Sequence, residues 1–224
     1  MEEKKFQGDS ATQDMRKRAE DLSIQTIWDR ELLQEPHCGF GLLGICCKNC
    51  NLGPCRIDPF GEGAQLGVCG ADADVISARN LLRHIAAGSG CHNDHGREIV
   101  KTLYLAAAGK AQGYRINDEN KLKVVAQEYG IKTDGKETNK IAQELAERLY
   151  QEYGQQEGEL VLLQRAPKKQ KDIWRKNNLM PRGIDREVTE ALARTNMGVD
   201  NDYRSLMMHG MRVALSDGWG GSMI

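Results

Sequence analysis

Cys46-Cys47-Lys48-Asn49-Cys50-Asn51-Leu52-Gly53-Pro54-Cys55-Arg56 holds four of the chain's seven cysteines and shows neither helical nor strand periodicity. The surrounding stretch, Pro36 to Gly70, is rich in Gly, Cys and Pro and adds Cys38 and Cys69. With no apolar face, such a segment cannot offset its ordering entropy by its own packing. It reads as a loop wrapped around a bound group and carried by regular structure on either side.

That regular structure is expected to be helical. Ala11 to Leu33 sets Met15, Ala19, Leu22 and Ile27 among charged residues. Beyond the cysteines, Val75, Ala78, Leu82, Ile85 and Ala86 follow helical spacing, with a stop expected at Gly88. A second run leads from Cys91 through Ile99 and Leu103 to Ala108. A third covers Leu122 to Tyr129 with Asn117 as its N-cap, and a fourth aligns Ile141, Leu145 and Leu149. Pro167 suits the first turn of another helix. Two more run from Asp185 to Ala193 and from Asp202 to Leu215. The last is apolar nearly all round, and its methionines suit core filling. Only Leu160 to Leu163 resembles a strand. The expected fold is all-α: an N-terminal helical domain with an irregular Cys/Gly-rich binding segment. Its expected parts are a helix in 1–35, the cluster segment 36–70 and a helical bundle 71–224, all in one domain.

Composition removes several functional classes. The 224 residues carry 31 basic and 32 acidic side chains, a net charge of −1. A counterion-driven nucleic-acid binder needs a net basic face. The basic run Lys168-Lys169-Gln170-Lys171 is expected to be a solvated helix face. No apolar run approaches the about 20 residues that span a membrane. Met1 to Phe6 lacks the apolar core of a secretory signal, so the expected location is cytoplasmic, where thiols stay reduced. An odd cysteine count and the adjacent Cys46-Cys47 pair speak against a disulfide scaffold.

Cytosolic clustered thiols are metal ligands. Cys47 and Cys50, two residues apart in between, reach one centre from a tight turn, with Cys55 and Cys69 as third and fourth ligands. Four thiolates suit zinc or a cubane iron–sulfur cluster. Zinc ribbons bring two paired knuckles, whereas one pair and two singles have the uneven spacing of iron–sulfur proteins. Gly53, Gly61, Gly63, Gly67 and Gly70 are expected to let backbone N–H groups approach sulfide, and Arg56 to screen cluster charge or simply to face solvent. Cys38 and Cys46 remain. Neighbouring side chains diverge, so Cys46 and Cys47 serve different centres, and a two-fold axis would turn two thiolates into four. The expectation is one cluster within each subunit and one shared across a homodimer. Gly39-Phe40-Gly41-Leu42-Leu43-Gly44 matches G-x-G-x-x-G but lacks the flanking strand and helix of a dinucleotide site. His92 and His95 lie at i, i+3 on an expected helix, as core or surface histidines or as a proton relay.

These residues resemble a known family. His37-Cys38-Gly39 and Gly44 to Arg56 are similar to the cluster segment of the anaerobic nickel–iron carbon monoxide dehydrogenases. Cys69-Gly70-Ala71, Ser77-Ala78-Arg79-Asn80, His92 with His95-Gly96, Pro181-Arg182-Gly183-Ile184-Asp185, Met197 to Asp202 and Asp217-Gly218-Trp219-Gly220 follow in the family's order. The resemblance implies a homodimeric oxidoreductase converting CO and water to CO2, two protons and two electrons. It implies that Cys47, Cys50, Cys55 and Cys69 hold a [4Fe-4S] cluster within the subunit. Cys38 and Cys46 would share another [4Fe-4S] with their symmetry mates, the seven-residue gap between them suiting that type over [2Fe-2S]. His92 and His95 would begin a proton path, which the family often continues with histidines where this chain has Glu98 and Lys101. The family's nickel–iron–sulfur catalytic cluster takes ligands from a much longer chain, and Cys91 is the only cysteine left for it here. The sequence is therefore expected to be a fragment, cut short at Ile224. A ferredoxin-like protein would accept the electrons, and acetyl-CoA synthase or hydrogenase subunits are compatible partners. The rival readings are a stand-alone iron–sulfur electron carrier, a hybrid-cluster-type protein and a zinc-stabilised module.

Overall fold

Asp9 and Thr26 start the first two helices. The computed structural model describes residues 8–224, so the Met1 to Phe6 expectation lies outside the described residues. The chain forms two compact units, one ending at Leu43 and the other covering Gly44–Ile224. In the first unit, Asp9 Oδ1 accepts the Thr12 N–H at 2.9 Å and begins α1 (Ser10–Asp21). The single helix expected over Ala11 to Leu33 is divided. Ser23 adopts φ 54°, and Asp29 draws both the backbone N–H and the hydroxyl of Thr26, which starts α2 (Ile27–Leu32). A local side-chain bond thus competes successfully with a continuous helix. One further turn, α3 (Gly39–Leu42), has Cys38 at its N-cap and covers most of the G-x-G-x-x-G match. None of the three helices buries a residue.

The second unit opens with a two-stranded antiparallel ladder, β1 (Cys46–Cys47) and β2 (Cys55–Arg56), in which Cys47 faces Cys55. No strand signal is legible there, because two residues per strand are too few for a period to show. Asp72 then caps α4 (Ala73–Ala107), its Oδ1 accepting the Val75 N–H at 2.9 Å. Val75, Arg79, Leu82, Ala86, Ser89, Asn93, Gly96 and Val100 are buried, in alternating steps of four and three residues. That stripe runs unbroken through Gly88, so the expected stop is absent and two expected helices are one. A helical glycine costs about 1 kcal/mol against alanine, and packing on both sides of Gly88 exceeds that.

α5 (Glu119–Glu128) follows, capped by Asp118, which accepts the Lys121 N–H, rather than by Asn117, which accepts from Arg115. α6 (Thr138–Gly154) packs on α4 and α5, and its Ile141, Leu145 and Leu149 stripe lies in the core. The Leu160 to Leu163 run forms no strand. Leu162–Arg165 is a 3₁₀ turn whose leucines fill the same core, and among the described residues no strand pairs with it. Its entry is fixed by the buried Glu152 carboxylate, which accepts from the Tyr129 hydroxyl at 2.6 Å and from the Val161 N–H. Burial holds this carboxyl above its ordinary value, partly opposed by those two bonds.

α7 (Lys168–Lys176) buries no residue; Lys168, Lys169 and Lys176 are exposed, while Lys171 is half-buried and donates to the Gln164 carbonyl at 2.8 Å. α8 (Ile184–Arg194) and α9 (Tyr203–Ser216) complete the layer against α4. α9 is buried along one side only, through Leu206, His209, Gly210 and Val213, while Met211 is exposed. The chain then continues as a π-helical turn, Asp217–Gly221. This turn lies so close to α4 that a Cβ on Gly221 would collide with Asn93, so only glycine allows the approach. Among the described residues no helix is long and apolar enough to cross a membrane.

Candidate metal centre

The ladder and the turn before α4 bring four thiols around one cavity. Ile45 and Ile57 are buried at the base of the hairpin, joined by the Ile57 N–H to Ile45 carbonyl bond at 3.1 Å. The loop between the strands doubles back through Gly53, where a Cβ would stand 3.0 Å from both the Cys47 oxygen and the Cys55 nitrogen. Glycine therefore lets the backbone fold tightly behind Cys50. The second turn is closed by the Gly67 N–H to Ala71 carbonyl bond at 2.7 Å, which presents Cys69. Cys47, Cys50, Cys55 and Cys69 all line the cavity, with Leu52, Ile76, Arg79, Thr195 and Met197. All four are free thiols; Cys47 is buried and the others are half-buried.

Hydrogen bonds already point at two of the sulfurs. The Val68 N–H donates to Cys55 Sγ at 3.5 Å, and Arg79 Nη1 donates to Cys69 Sγ at 3.4 Å. Burial works against ionisation of Cys69. The Arg79 bond, the Ala71 N–H and the guanidinium charge outweigh it and hold the thiol below its ordinary value. Of the glycines singled out in the sequence, Gly53 and Gly67 lie against Cys55. Gly63 instead donates its N–H to the Asp58 carboxylate in an outer loop, and Gly61 stands in open space. Arg56, the sequence's candidate for charge screening, is exposed. The buried cation is Arg79, ten residues past Cys69 in a helix. Its signal was a charge on the apolar stripe of α4.

The spacing of the thiols discriminates between metal groups. Four thiolates about 2.3 Å from a single zinc would stand within about 4 Å of one another. Among the described residues, the triads of ligand atoms within 4.8 Å are Glu31–Glu35–His37 and Glu187–Glu190–His209, and no cysteine belongs to either. The four sulfurs share a cavity, and no three of them lie within 4.8 Å of one another. A cubane takes one thiolate on the iron at each of its four corners. The donor set therefore fits an iron–sulfur cluster. The Glu187–Glu190–His209 group is no cation site. Arg182 bonds both carboxylates, Arg194 and Arg186 bond Glu190, and Arg212 stands 3.8 Å from Glu187.

Cys46, Cys91, His92 and His95 do not line that cavity. Cys46 is half-buried on β1, and its carbonyl accepts from Asn80 at 3.1 Å. Cys38 is exposed at the N-cap of α3, and Cys91 is exposed on α4. His92 and His95 are both exposed on α4. The Asp217 carboxylate lies 3.0 Å from His92 Nδ1, and the Ser222 hydroxyl donates to the same carboxylate at 2.6 Å. With the Nδ1 proton held by Asp217, His92 Nε2 is the nitrogen left as acceptor. The sequence offered Asp217 only within the Asp217-Gly218-Trp219-Gly220 motif, and nothing in it pairs residues 125 positions apart. Glu98 and Lys101 form an exposed ion pair at 3.4 Å.

Known proteins are similar to this chain in sequence and fold. The carbon monoxide dehydrogenase 1 of Methanosarcina acetivorans is 55% identical over 216 residues, which are 96% of this chain and 34% of that relative. The subunit beta of the carbon monoxide dehydrogenase/acetyl-CoA synthase of Moorella thermoacetica is 36% identical over 93% of this chain and 32% of its own length. The Ni-free crystal structure of the carbon monoxide dehydrogenase from Thermococcus sp. AM4 superposes with a TM-score of 0.89 at 50% identity, covering 96% of this chain and 34% of that one. This chain spans about a third of the length of the curated relatives it matches. The Prismane/CO dehydrogenase family description matches residues 45–224, from the first residue of the thiol hairpin to the end of the helical layer, and the chain belongs to that family.

Proposed function

We propose that this chain is the electron-transferring and dimer-forming part of an anaerobic carbon monoxide dehydrogenase. The parent reaction takes CO and water to CO2, two protons and two electrons. The observation that carries the proposal is the set of four free thiols, Cys47, Cys50, Cys55 and Cys69, lining one cavity. A [4Fe-4S] cluster held there would supply reversible one-electron storage. Around it, Val68 and Arg79 donate to ligand sulfurs, and Leu52, Ile76 and Met197 limit the access of water.

Cys38 and Cys46 together are half of a ligand set, completed by the same pair from a second copy, so the homodimer is part of the proposal. His92 and His95 begin the path by which protons leave. Support for this role comes from Asp217, which fixes the His92 tautomer and keeps Nε2 free as a base. The nickel–iron–sulfur centre belongs to the remaining two thirds of such an enzyme. The electrons pass to a ferredoxin-like acceptor, in a reducing cytoplasm where the free thiols persist. The likeness to the Moorella thermoacetica subunit supports acetyl-CoA synthase as a partner of the parent enzyme.

The test is anaerobic iron and acid-labile sulfide analysis, with the visible spectrum and the mass in solution. Expected are about four irons per chain at the internal site and about two more from a shared cluster. Cys38→Ser removes the latter and the dimer together. A colourless chain carrying only zinc sinks the cluster assignment; unchanged iron and dimer mass in Cys38→Ser sink the shared site alone.

A further inference from the structure

Arg79 is a buried cation with no anion beside it. The residue is 1% exposed, on the inner face of α4. Its Nη2 donates to the Asp200 carbonyl at 2.6 Å and to the Asn201 side-chain oxygen at 2.5 Å, both neutral acceptors. The nearby Asp200 carboxylate is turned to Arg194 and Ser205 instead. Arg79 Nε is buried without a hydrogen-bond partner. The remaining group, Nη1, reaches Cys69 Sγ at 3.4 Å, and the side chain lines the cavity of four thiols. Removing a charge from water costs several kcal/mol unless an opposite charge meets it. Among the described residues Arg79 forms no ion pair with a carboxylate, so the thiol cavity is where the compensating negative charge belongs.

We propose that Arg79 is the positioning residue and fixed counter-charge of the internal cluster. The inference rests on the cluster assignment above and adds a role that the ligand set does not contain. Two consequences follow from the geometry. Arg79 clamps Asp200 and Asn201, and Asn201 Nδ2 donates to the Cys69 carbonyl at 3.1 Å, so the same side chain anchors the fourth ligand to the loop between α8 and α9. Reduction adds negative charge to a thiolate-ligated cluster, so a desolvated guanidinium stabilises the reduced form and raises its potential. Arg56 follows a ligand directly in sequence but is exposed, where water and salt screen its charge.

The experiment is a potentiometric titration followed by electron paramagnetic resonance, on the anaerobically reconstituted chain carrying Cys38→Ser and Cys46→Ser so that only the internal cluster reports. Arg79→Gln is expected to retain about four irons and to lower the reduction equilibrium constant at least about tenfold, about 59 mV for one electron. Arg79→Lys keeps the charge and is expected within about threefold of the parent, and Arg56→Gln within about twofold. An Arg79→Gln chain with a full cluster and an unchanged potential overturns the proposal while leaving the cluster assignment intact. Where Arg79→Gln fails to load, Arg79→Lys decides: loading at the parent potential supports the counter-charge, and failure to load assigns Arg79 to packing and overturns it. A parent chain that takes up neither iron nor sulfide overturns the cluster assignment itself.

Discussion

The thiol segment, Ile45 to Gly70, and the helical layer of α4, α6, α8 and α9 are held by different physics. In the segment, Phe60 is 85% exposed and Val68 70%, and Ile45, Cys47 and Ile57 are its only buried residues. In the layer, Ile141, Ile184, Leu206 and Val213 are completely buried. The layer stands on removal of apolar surface from water. The segment has a two-residue ladder and a few turns, and its geometry makes sense around a bound group that ties four sulfurs together. Order in one region comes from packing; in the other, the proposed cluster supplies it through ligation.

The sharpest way to break this contrast is to remove a ligand. Cys55→Ser or Cys47→Ser is expected to abolish the internal cluster, a loss of about four irons per chain, and to open Asn51 to Val68 to proteolysis. The far-ultraviolet circular dichroism should hardly change. Collapse of the helical signal with the iron would show that the two regions are one cooperative unit. The reverse experiment attacks the layer. Leu206→Ala is expected to cost about 2–5 kcal/mol in denaturant unfolding, through a cavity with no water to fill it, while the iron content of the folded fraction stays constant.

Backbone approach gives an intermediate effect. A Cβ on Gly96 would collide with the Tyr153 hydroxyl and the Gly221 carbonyl. Gly96→Ala is therefore expected to destabilise by about 1–3 kcal/mol through overpacking, read from the denaturation midpoint. Gly88 lies on the same helix with nothing near its Cβ position. Gly88→Ala is expected to stabilise by about 0.5–1 kcal/mol, since it adds helix propensity without a clash.

The smallest expected effect is a pH dependence confined to the layer. Burial pushes the His209 imidazole below its ordinary value. The Glu187 carbonyl and the Glu190 and Glu187 carboxylates pull the other way, and Arg194 adds to the lowering. The folded state thus refuses a proton that the unfolded chain accepts. Stability contributed by neutral His209 is present above about pH 6.5 and is lost as pH falls towards the depressed folded value, at no more than about 1.4 kcal/mol per pH unit. His209→Gln should flatten this part of the stability profile, measured by urea unfolding between pH 5 and pH 7.5 in about half-unit steps. An unchanged profile would place the titration elsewhere.

Much of this was legible in the residues. Helices were expected at α5, α6, α8 and α9 because their apolar positions recur every three or four residues, and such stripes survive any tertiary context that offers a core. The breaks were misjudged in both directions. Gly88 looked like a stop because its weak propensity is local, whereas the contacts that override it come from α6, α8 and α9. The Leu22–Thr26 break looked like helix because Asp29 acts through a side-chain bond that periodicity does not register. Cys47, Cys50, Cys55 and Cys69 could be grouped from spacing, because a tight turn brings nearby thiols to one centre. Arg79 and Asp217 could not, because their partners lie far along the chain.

By itself, the sequence determined the helical class, the thiol inventory, the pairing of Cys47 with Cys50 and the likeness to a redox family. All of these are properties of neighbours within a few turns of chain. Only the tertiary structure decided that the four thiols line one cavity, that Arg79 and not Arg56 is the desolvated charge beside them, and that Asp217 lies against His92. Those depend on which distant segments share a low-dielectric interior, and desolvation is a property of the packed molecule rather than of any residue in it.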